Sequence, residues 1–217
     1  MANAALRRRA MLDGQLRPNR LTEDRLQQAM LATPRERFVP VDLRGVAYVD
    51  EDLPLGRGRF LMEPRVFARL LQAAALQPAD VVLDVGCAAG YSSAVAARLA
   101  GTVVALESDA EFNRLANENL AALGVDNAAV VSGELTLGYP EQGPYDVIVL
   151  NGSVERVPDA LLSQLAEGGR LVAVETGDGA GRAVLYTKRD GLVGRRVLFD
   201  AAVGPLPGFR RDPGFTF

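Results

Sequence analysis

Between Pro64 and Phe199 the apolar positions switch regularly between two periods. "DVVLDVG", "TVVALE", "NAAVVSG", "YDVIVLNG" and "RLVAVE" are short, nearly continuous apolar runs. Runs of this kind predict strands buried on both faces, the mark of a parallel sheet. Helical patterns separate them: residues 64–76, which stop before Pro78, then "YSSAVAARLA", "SDAEFNRLANENLAALG" and "VPDALLSQLAEGG". In the third of these, Phe112, Leu115, Ala116 and Leu123 share a face and Gly124 supplies the stop. "RAVLYTKRDGLVGRRVLF" predicts a hairpin turning at Asp190-Gly191, with the last strand antiparallel at or near the sheet edge. Strand and helix in alternation predict a doubly wound α/β fold. Upstream, "LTEDRLQQAMLATP" reads as a helix with Thr22 as N-cap, Leu26, Ala29 and Met30 as its apolar stripe, and Pro34 as its end. Residues 35–64 have many Pro and Gly and no period; they predict a long irregular segment, of the length that usually serves function.

Composition narrows the chemistry. The chain has 217 residues, a formal net charge of −3, one cysteine and no histidine. One ordinary domain is expected, divided as 1–64 (N-terminal helices and a substrate-side loop), 65–200 (core) and 201–217 (a tail packed on the core). The acidic balance offers no field for nucleic acid or an anionic membrane. Arg7, Arg8 and Arg9 read as a solvated helix face, and the residues after them do not form the apolar core of a signal peptide. No apolar run reaches the roughly 18 residues of a membrane span, so a cytoplasmic location is the expectation. Without histidine there is no Ser-His or Cys-His pair. With Cys87 alone there is no disulfide and no thiolate metal cluster, and no metal is expected. Carboxylates, hydroxyls, backbone groups or a cofactor must do the work.

The first strand leads into Asp84-x-Gly86-x-Ala88-x-Gly90 and then a helix. In open α/β sheets ligands bind beyond the carboxyl ends of the strands. A dinucleotide fold would show G-x-G-x-x-G facing pyrophosphate. Here an acid precedes the turn, which suits a cationic group such as an amino-acid ammonium. Gly86 permits close approach of the backbone, Gly90 permits close helix packing, and Ala88 adds a methyl where a glycine would leave room. The second strand ends at Glu107, placed to accept from a ribose diol, with Ser108 next to it. An ammonium and a ribose in one pocket describe S-adenosyl-L-methionine. Cys87 lies inside the turn and reads as a small buried thiol. Tyr91 opens the next helix, either covering the cofactor or packing. Glu134 is a candidate for the adenine amino group and Leu135 for its ring. Asn151, ending the fourth strand, is an acceptor-side candidate, and Phe209, Phe215 and Phe217 are expected to dock the tail on the body.

"GQLRPN", "ATPRERFVP", "AYVDEDLPLGRGRFLMEP", "VLDVGCAAGY", "ALESD", "SGEL", "YDVIVLNGSVERVP" and "QLAEGGRLV" resemble the protein-L-isoaspartate O-methyltransferases in order and spacing, from about Met11 to Phe199. The resemblance implies a Rossmann-like class I S-adenosylmethionine-dependent methyltransferase fold with an N-terminal helical appendage. It implies a seven-stranded, mostly parallel sheet of order 3-2-1-4-5-7-6. It also implies methylation of the α-carboxylate of isoaspartyl residues in damaged proteins, a repair reaction with protein or peptide as partner, and assigns residues 35–64 to the substrate side. Where the family reads G-Q-T-I-S-x-P, with Ser/Thr hydroxyls lining the transfer site, this chain reads Gly58-Arg59-Phe60-Leu61-Met62-Glu63-Pro64. Phe60, Leu61 and Met62 are therefore expected to form an altered, apolar acceptor loop. Arg59 and Arg57 are candidates to grip a carboxylate as a fork, or else are solvated. A methyltransferase with another acceptor, or a non-catalytic relative that binds the cofactor or a peptide, is the alternative.

Overall fold

The computed structural model describes residues 2–177 and 180–210. The chain opens with helix α1 (Ala2–Met11), a π turn (Leu12–Leu16) and helix α2 (Asp24–Ala32). Two 3-10 turns and a small hairpin, β1 (Leu53–Gly56) and β2 (Arg59–Leu61), occupy what the sequence marks as irregular. The hairpin turns at Arg57 and Gly58, both at positive φ (52° and 70°), the backbone that two-residue hairpins favour. Then come α3 (Pro64–Ala74), β3 (Val81–Val85), α4 (Tyr91–Ala96), β4 (Thr102–Glu107), α5 (Ala110–Ala122) and β5 (Ala128–Ser132). The rest is β6 (Tyr145–Val154), α6 (Asp159–Ser163), β7 (Leu165–Glu175), β8 (Arg182–Arg189) and β9 (Leu192–Asp200).

The seven-stranded sheet runs β5-β4-β3-β6-β7-β8-β9. The first four contacts among its strands are parallel, and β7-β8 and β8-β9 are antiparallel. Numbered within the sheet the order is 3-2-1-4-5-6-7, which corrects the implied 3-2-1-4-5-7-6. The reason is local. The link between β7 and β8 is too short for the crossover that would leave a gap for a later strand. So β8 folds straight back on β7, and the tight turn at Asp190-Gly191 (φ 51° and 75°) then sends β9 to the edge.

The apolar strands divide their side chains alternately between two cores. Val82, Val103, Val147 and Val149 face the core shared with α2, α3 and α4. Leu83, Val85, Val104, Leu106, Ile148 and Leu150 face the other, shared with α6. Helix α3 begins with Pro64 at its first turn and buries Val66, Phe67, Leu70, Leu71 and Ala74. Arg170 of β7 caps its far end, donating to Ala74 O at 2.9 Å and pairing with Asp80 at 2.6 Å.

Several local expectations change. Thr22 is not the N-cap of α2; that residue is Glu23, and the Thr22 N–H instead donates to Gln72 Oε1 at 2.7 Å. The arginines of α1 are not simply solvated: Arg8 donates to Leu31 O at 2.7 Å and to the Tyr48 hydroxyl at 3.0 Å, tying α1 to α2 and to the segment after it. Helix α6 is one short turn, and its expected second half already belongs to β7.

Candidate functional site

The turn after β3 is built on positive φ at Gly86 (74°), Ala88 (47°) and Gly90 (94°). Ala88 holds a left-handed conformation that glycine adopts more cheaply. Its N–H is repaid by a bond to Glu107 Oε2 at 2.8 Å. Gly90 is tightly framed, because a Cβ there would come within 3.3 Å of Ala116 on α5. The turn is thus a close-packed cradle, and Cys87 in it is a buried thiol. Burial pushes that thiol well above the usual range, with Asp84 and Glu107 adding to the effect.

Asp84 lies under the turn, 1% exposed. It accepts from Ser92 Oγ at 2.7 Å, from Ser93 Oγ at 2.5 Å and from the Asn151 amide. Burial raises its pKa, and the three donors oppose the rise. Asp84 is expected to face an ammonium; within the chain its carboxylate already accepts three hydrogen bonds, two from the start of α4 and one from the end of β6. Asn151, expected on the acceptor side, also donates to Val85 O at 3.3 Å and so bridges two strand ends.

Glu107 is fully buried. It accepts from the backbone N–H of Ala88, from Ser108 at 2.8 Å and from Asp109 at 3.0 Å. It also pairs with Arg59, whose Nη1 and Nη2 meet Oε1 and Oε2 at 3.2 and 2.8 Å. Arg59 is 3% exposed. It is therefore neither solvated nor placed to grip an acceptor carboxylate, which corrects both readings from sequence. Arg57, at the hairpin tip, is exposed and pairs with Asp109 at 3.2 Å.

The residues after β9 cross the carboxyl ends of β3 and β6 as a strap. Ser153 N donates to Gly204 O at 2.8 Å, Leu206 N donates to Ser153 O at 2.8 Å, and Ser153 Oγ donates to Val203 O at 2.9 Å. Asp52 clamps the strap to the N-terminal segment by accepting from Glu63 N at 2.7 Å and from Gly204 N. Phe60 packs on Gly204, while Leu206 and Phe209 are buried in the same core as Leu135. Leu135 therefore presents no free face for a ring, and Glu134 is an exposed loop acid bonded to Thr136 at 2.6 Å. Phe215 and Phe217 lie outside the described residues.

One small cavity joins the two halves. It is lined by Phe60, Leu61 and Met62 from the loop, by Gly86, Cys87, Ala88 and Ala89 from the turn, and by Tyr91 and Asn151. Its volume is about 20 Å³, enough for about one water, whereas small-molecule sites usually offer at least roughly 300 Å³. A larger open groove of about 770 Å³ lies elsewhere, beside Glu175, Tyr186 and Arg195, and contains none of the residues expected from sequence. The polar set at the strand ends suits a nucleoside carrying an amino acid. The space does not, as long as Arg59 and Leu206 lie where they do. Tyr91 is packed rather than lid-like, against Phe38 and Phe67 at ring distances of 5.5 and 5.4 Å.

Sequence reasoning missed Asp52, Ser92, Ser93, Arg35 and Leu206. Ser92 and Ser93 follow the turn directly, so an acid two residues before a glycine turn with two hydroxyls after it was a usable signal. Nothing in the sequence ties Leu206 or Asp52 to the turn.

Comparison with known proteins follows the same lines. The family model described as Protein-L-isoaspartate(D-aspartate) O-methyltransferase (PCMT) matches residues 7–203. A protein-L-isoaspartate O-methyltransferase of Koribacter versatilis is 38% identical over 94% of this chain and 92% of its own length. One from Methanoculleus marisnigri is 37% identical over 93% of this chain and 91% of its own. Among solved structures, a protein-L-isoaspartate O-methyltransferase superposes with a TM-score of 0.75 at 27% identity, over 86% of this chain and 62% of that one. A beta-aspartate methyltransferase (PCMT) from Plasmodium falciparum, in complex with S-adenosyl-L-homocysteine, gives a TM-score of 0.79 at 22% identity, over 91% of this chain and 96% of that one, a likeness of fold.

Proposed function

Because the chain belongs to the protein-L-isoaspartate(D-aspartate) O-methyltransferase family, we propose how its residues divide the work of that reaction. It is an S-adenosyl-L-methionine-dependent methyltransferase acting on isoaspartyl residues of proteins. When bound, the cofactor supplies an electrophilic methyl group on a sulfonium. An isoaspartyl α-carboxylate is already ionised at neutral pH, so the protein need not remove a proton from it. What remains for the chain is to place the acceptor and keep water out.

Glu107 and the backbone of Gly86–Gly90 are the proposed nucleoside side, with Ser108 beside them. Asp84 acts as a positioning residue, fixing Asn151 and the first turn of α4 through Ser92 and Ser93. The acceptor side is residues 1–64, whose Phe60, Leu61 and Met62 face the turn across the small cavity. Met62 has only a weak acceptor sulfur where the resemblance expects a hydroxyl, and Phe60 is apolar, so this wall holds a substrate by shape rather than by donated hydrogen bonds. Arg35 sets the wall's position by donating to Met62 O at 2.6 Å. The cytoplasm is the proposed place of work; no helix among the described residues is long and apolar enough to cross a membrane.

The observation that carries this assignment is the shared cavity between the acceptor loop and the strand-end turn. The test is methyl transfer to an isoaspartyl peptide beside its aspartyl twin, with isotopically labelled methyl as readout. Label on the isoaspartyl peptide alone is expected. Equal labelling of both, or of neither, would overturn the assignment of the acceptor side.

A further inference from the structure

The strand-end site is filled by the protein's own side chains. A Cβ added to Gly86 would lie 2.5 Å from Leu206 Cδ1 and 2.8 Å from Arg59 Nη2. Gly86 is the position whose missing side chain allows a ligand to approach the backbone. Here two of the chain's own residues make that approach. Arg59 comes from the hairpin strand β2 and Leu206 from the strap, so two segments remote in sequence converge on one glycine.

Glu107 shows the same thing from the other side. Three of its donors are backbone N–H groups of the turn and of the entry to α5, at Ala88, Ser108 and Asp109, and the neighbouring Ser108 hydroxyl adds a long contact at 3.5 Å. Those are fixed by the fold. Arg59, by contrast, is a side chain remote in sequence that meets both carboxylate oxygens. A guanidinium fork and a vicinal diol both present two donors to one carboxylate, and the fork is charged and rigid. The two cannot occupy Glu107 together.

We propose that Arg59 is an internal competitor for the nucleoside's ribose at Glu107, and that Leu206 seals the adjoining surface of Gly86. The resting protein is then closed, and adenosyl ligands bind only as Arg59 swings off Glu107 and the strap lifts. Both movements have a natural hinge. Arg59 directly follows the Arg57-Gly58 turn at the exposed tip of the hairpin. The strap is clamped chiefly through Ser153 and Asp52. The proposal rests on the reading that the nucleoside is held at Glu107.

The test is titration calorimetry of the full chain with S-adenosyl-L-homocysteine and, separately, with adenosine. Wild type, Arg59→Gln, Glu107→Gln, Leu206→Ala, and Arg59→Gln combined with Glu107→Gln are compared, with circular dichroism to confirm folding. Arg59→Gln should tighten both ligands at least tenfold, because adenosine carries the ribose without the amino acid. Leu206→Ala should tighten S-adenosyl-L-homocysteine by a smaller factor. Adding Glu107→Gln should abolish the gain. Equal affinity of wild type and Arg59→Gln, both weakened by Glu107→Gln, would overturn the competitor while leaving the ribose site in place. No binding by any folded variant would overturn both. A crystal structure of the wild-type protein with S-adenosyl-L-homocysteine reads the same question without mutation. Arg59 displaced from Glu107 supports the proposal; the ligand bound with the Arg59–Glu107 pair intact refutes it.

Discussion

Replacing Arg35 with methionine should loosen the whole segment between α2 and α3. Arg35 is completely buried. Its Nε donates to Ala47 O at 2.7 Å and its Nη2 to Met62 O at 2.6 Å, and its guanidinium carbon stands 5.0 Å from the centre of the Tyr91 ring. One side chain thus holds the segment before the hairpin and the residues after β2 against the helix that follows the Gly86–Gly90 turn. Arg35→Met keeps much of the apolar stem and removes both donors. Ala47 and Met62 are themselves buried, so two carbonyls lose partners that water cannot easily replace. Each such group costs about 1–3 kcal/mol. Relief from desolvating a cation offsets part of that, leaving a net loss on the order of 2–4 kcal/mol. In a domain of this size each kcal/mol moves Tm by about 2–4 °C, so a drop of about 5–15 °C is expected. Urea unfolding followed by circular dichroism should show a lower midpoint with an unchanged slope. Arg35→Lys, which keeps the charge but not the fork, should fall between the two. An Arg35→Met protein as stable as wild type, or more so, would refute the reasoning. It would place this residue among the buried charges that an apolar side chain replaces without loss.

Two further outcomes follow from buried groups. Cys87 is enclosed in the turn with its thiol pushed up by burial, so iodoacetamide should alkylate it far more slowly than a free thiol at mildly alkaline pH and at full speed in urea; fast labelling of the folded protein would contradict the packing of the turn. Tyr48, Tyr145 and Tyr186 are each pushed up to about 12, first by burial, with Glu36 adding to it at Tyr48, Tyr139 at Tyr145 and Glu175 at Tyr186. The folded chain keeps these protons where the unfolded chain, at about pH 10, releases them. Stability is therefore unaffected by these groups below pH 10 and falls as pH rises from about 10 to about 12. Ultraviolet titration should show little phenolate near pH 10 while the fold persists, and early phenolate without unfolding would contradict these environments.

Much of the framework is written locally. Alternating helical and apolar segments, the glycine stop of α5, the Asp190-Gly191 turn and the place of Asp84 and Glu107 at neighbouring strand ends all depend on residues close together in the chain. Periodicity and turn chemistry reveal such features because their physics extends over only a few residues.

What tertiary structure alone decided is which groups are still free once the chain has closed on itself. The acids at 84 and 107 are visible in the sequence as possible ligands, but whether a carboxylate faces a ligand or a neighbour depends on what the fold brings beside it. Ser92, Ser93 and Asn151 take the first, and Arg59, lying 48 positions away, takes the second. The strap reaches Gly86 through bonds to Ser153 and Asp52, the latter 152 positions from Gly204. The strand order too was settled by a link too short to cross over. Local pattern specifies which elements form and where charge sits; it cannot report long-range competition for the same hydrogen-bond acceptor, because that competition exists only after packing has placed both rivals at one point in space.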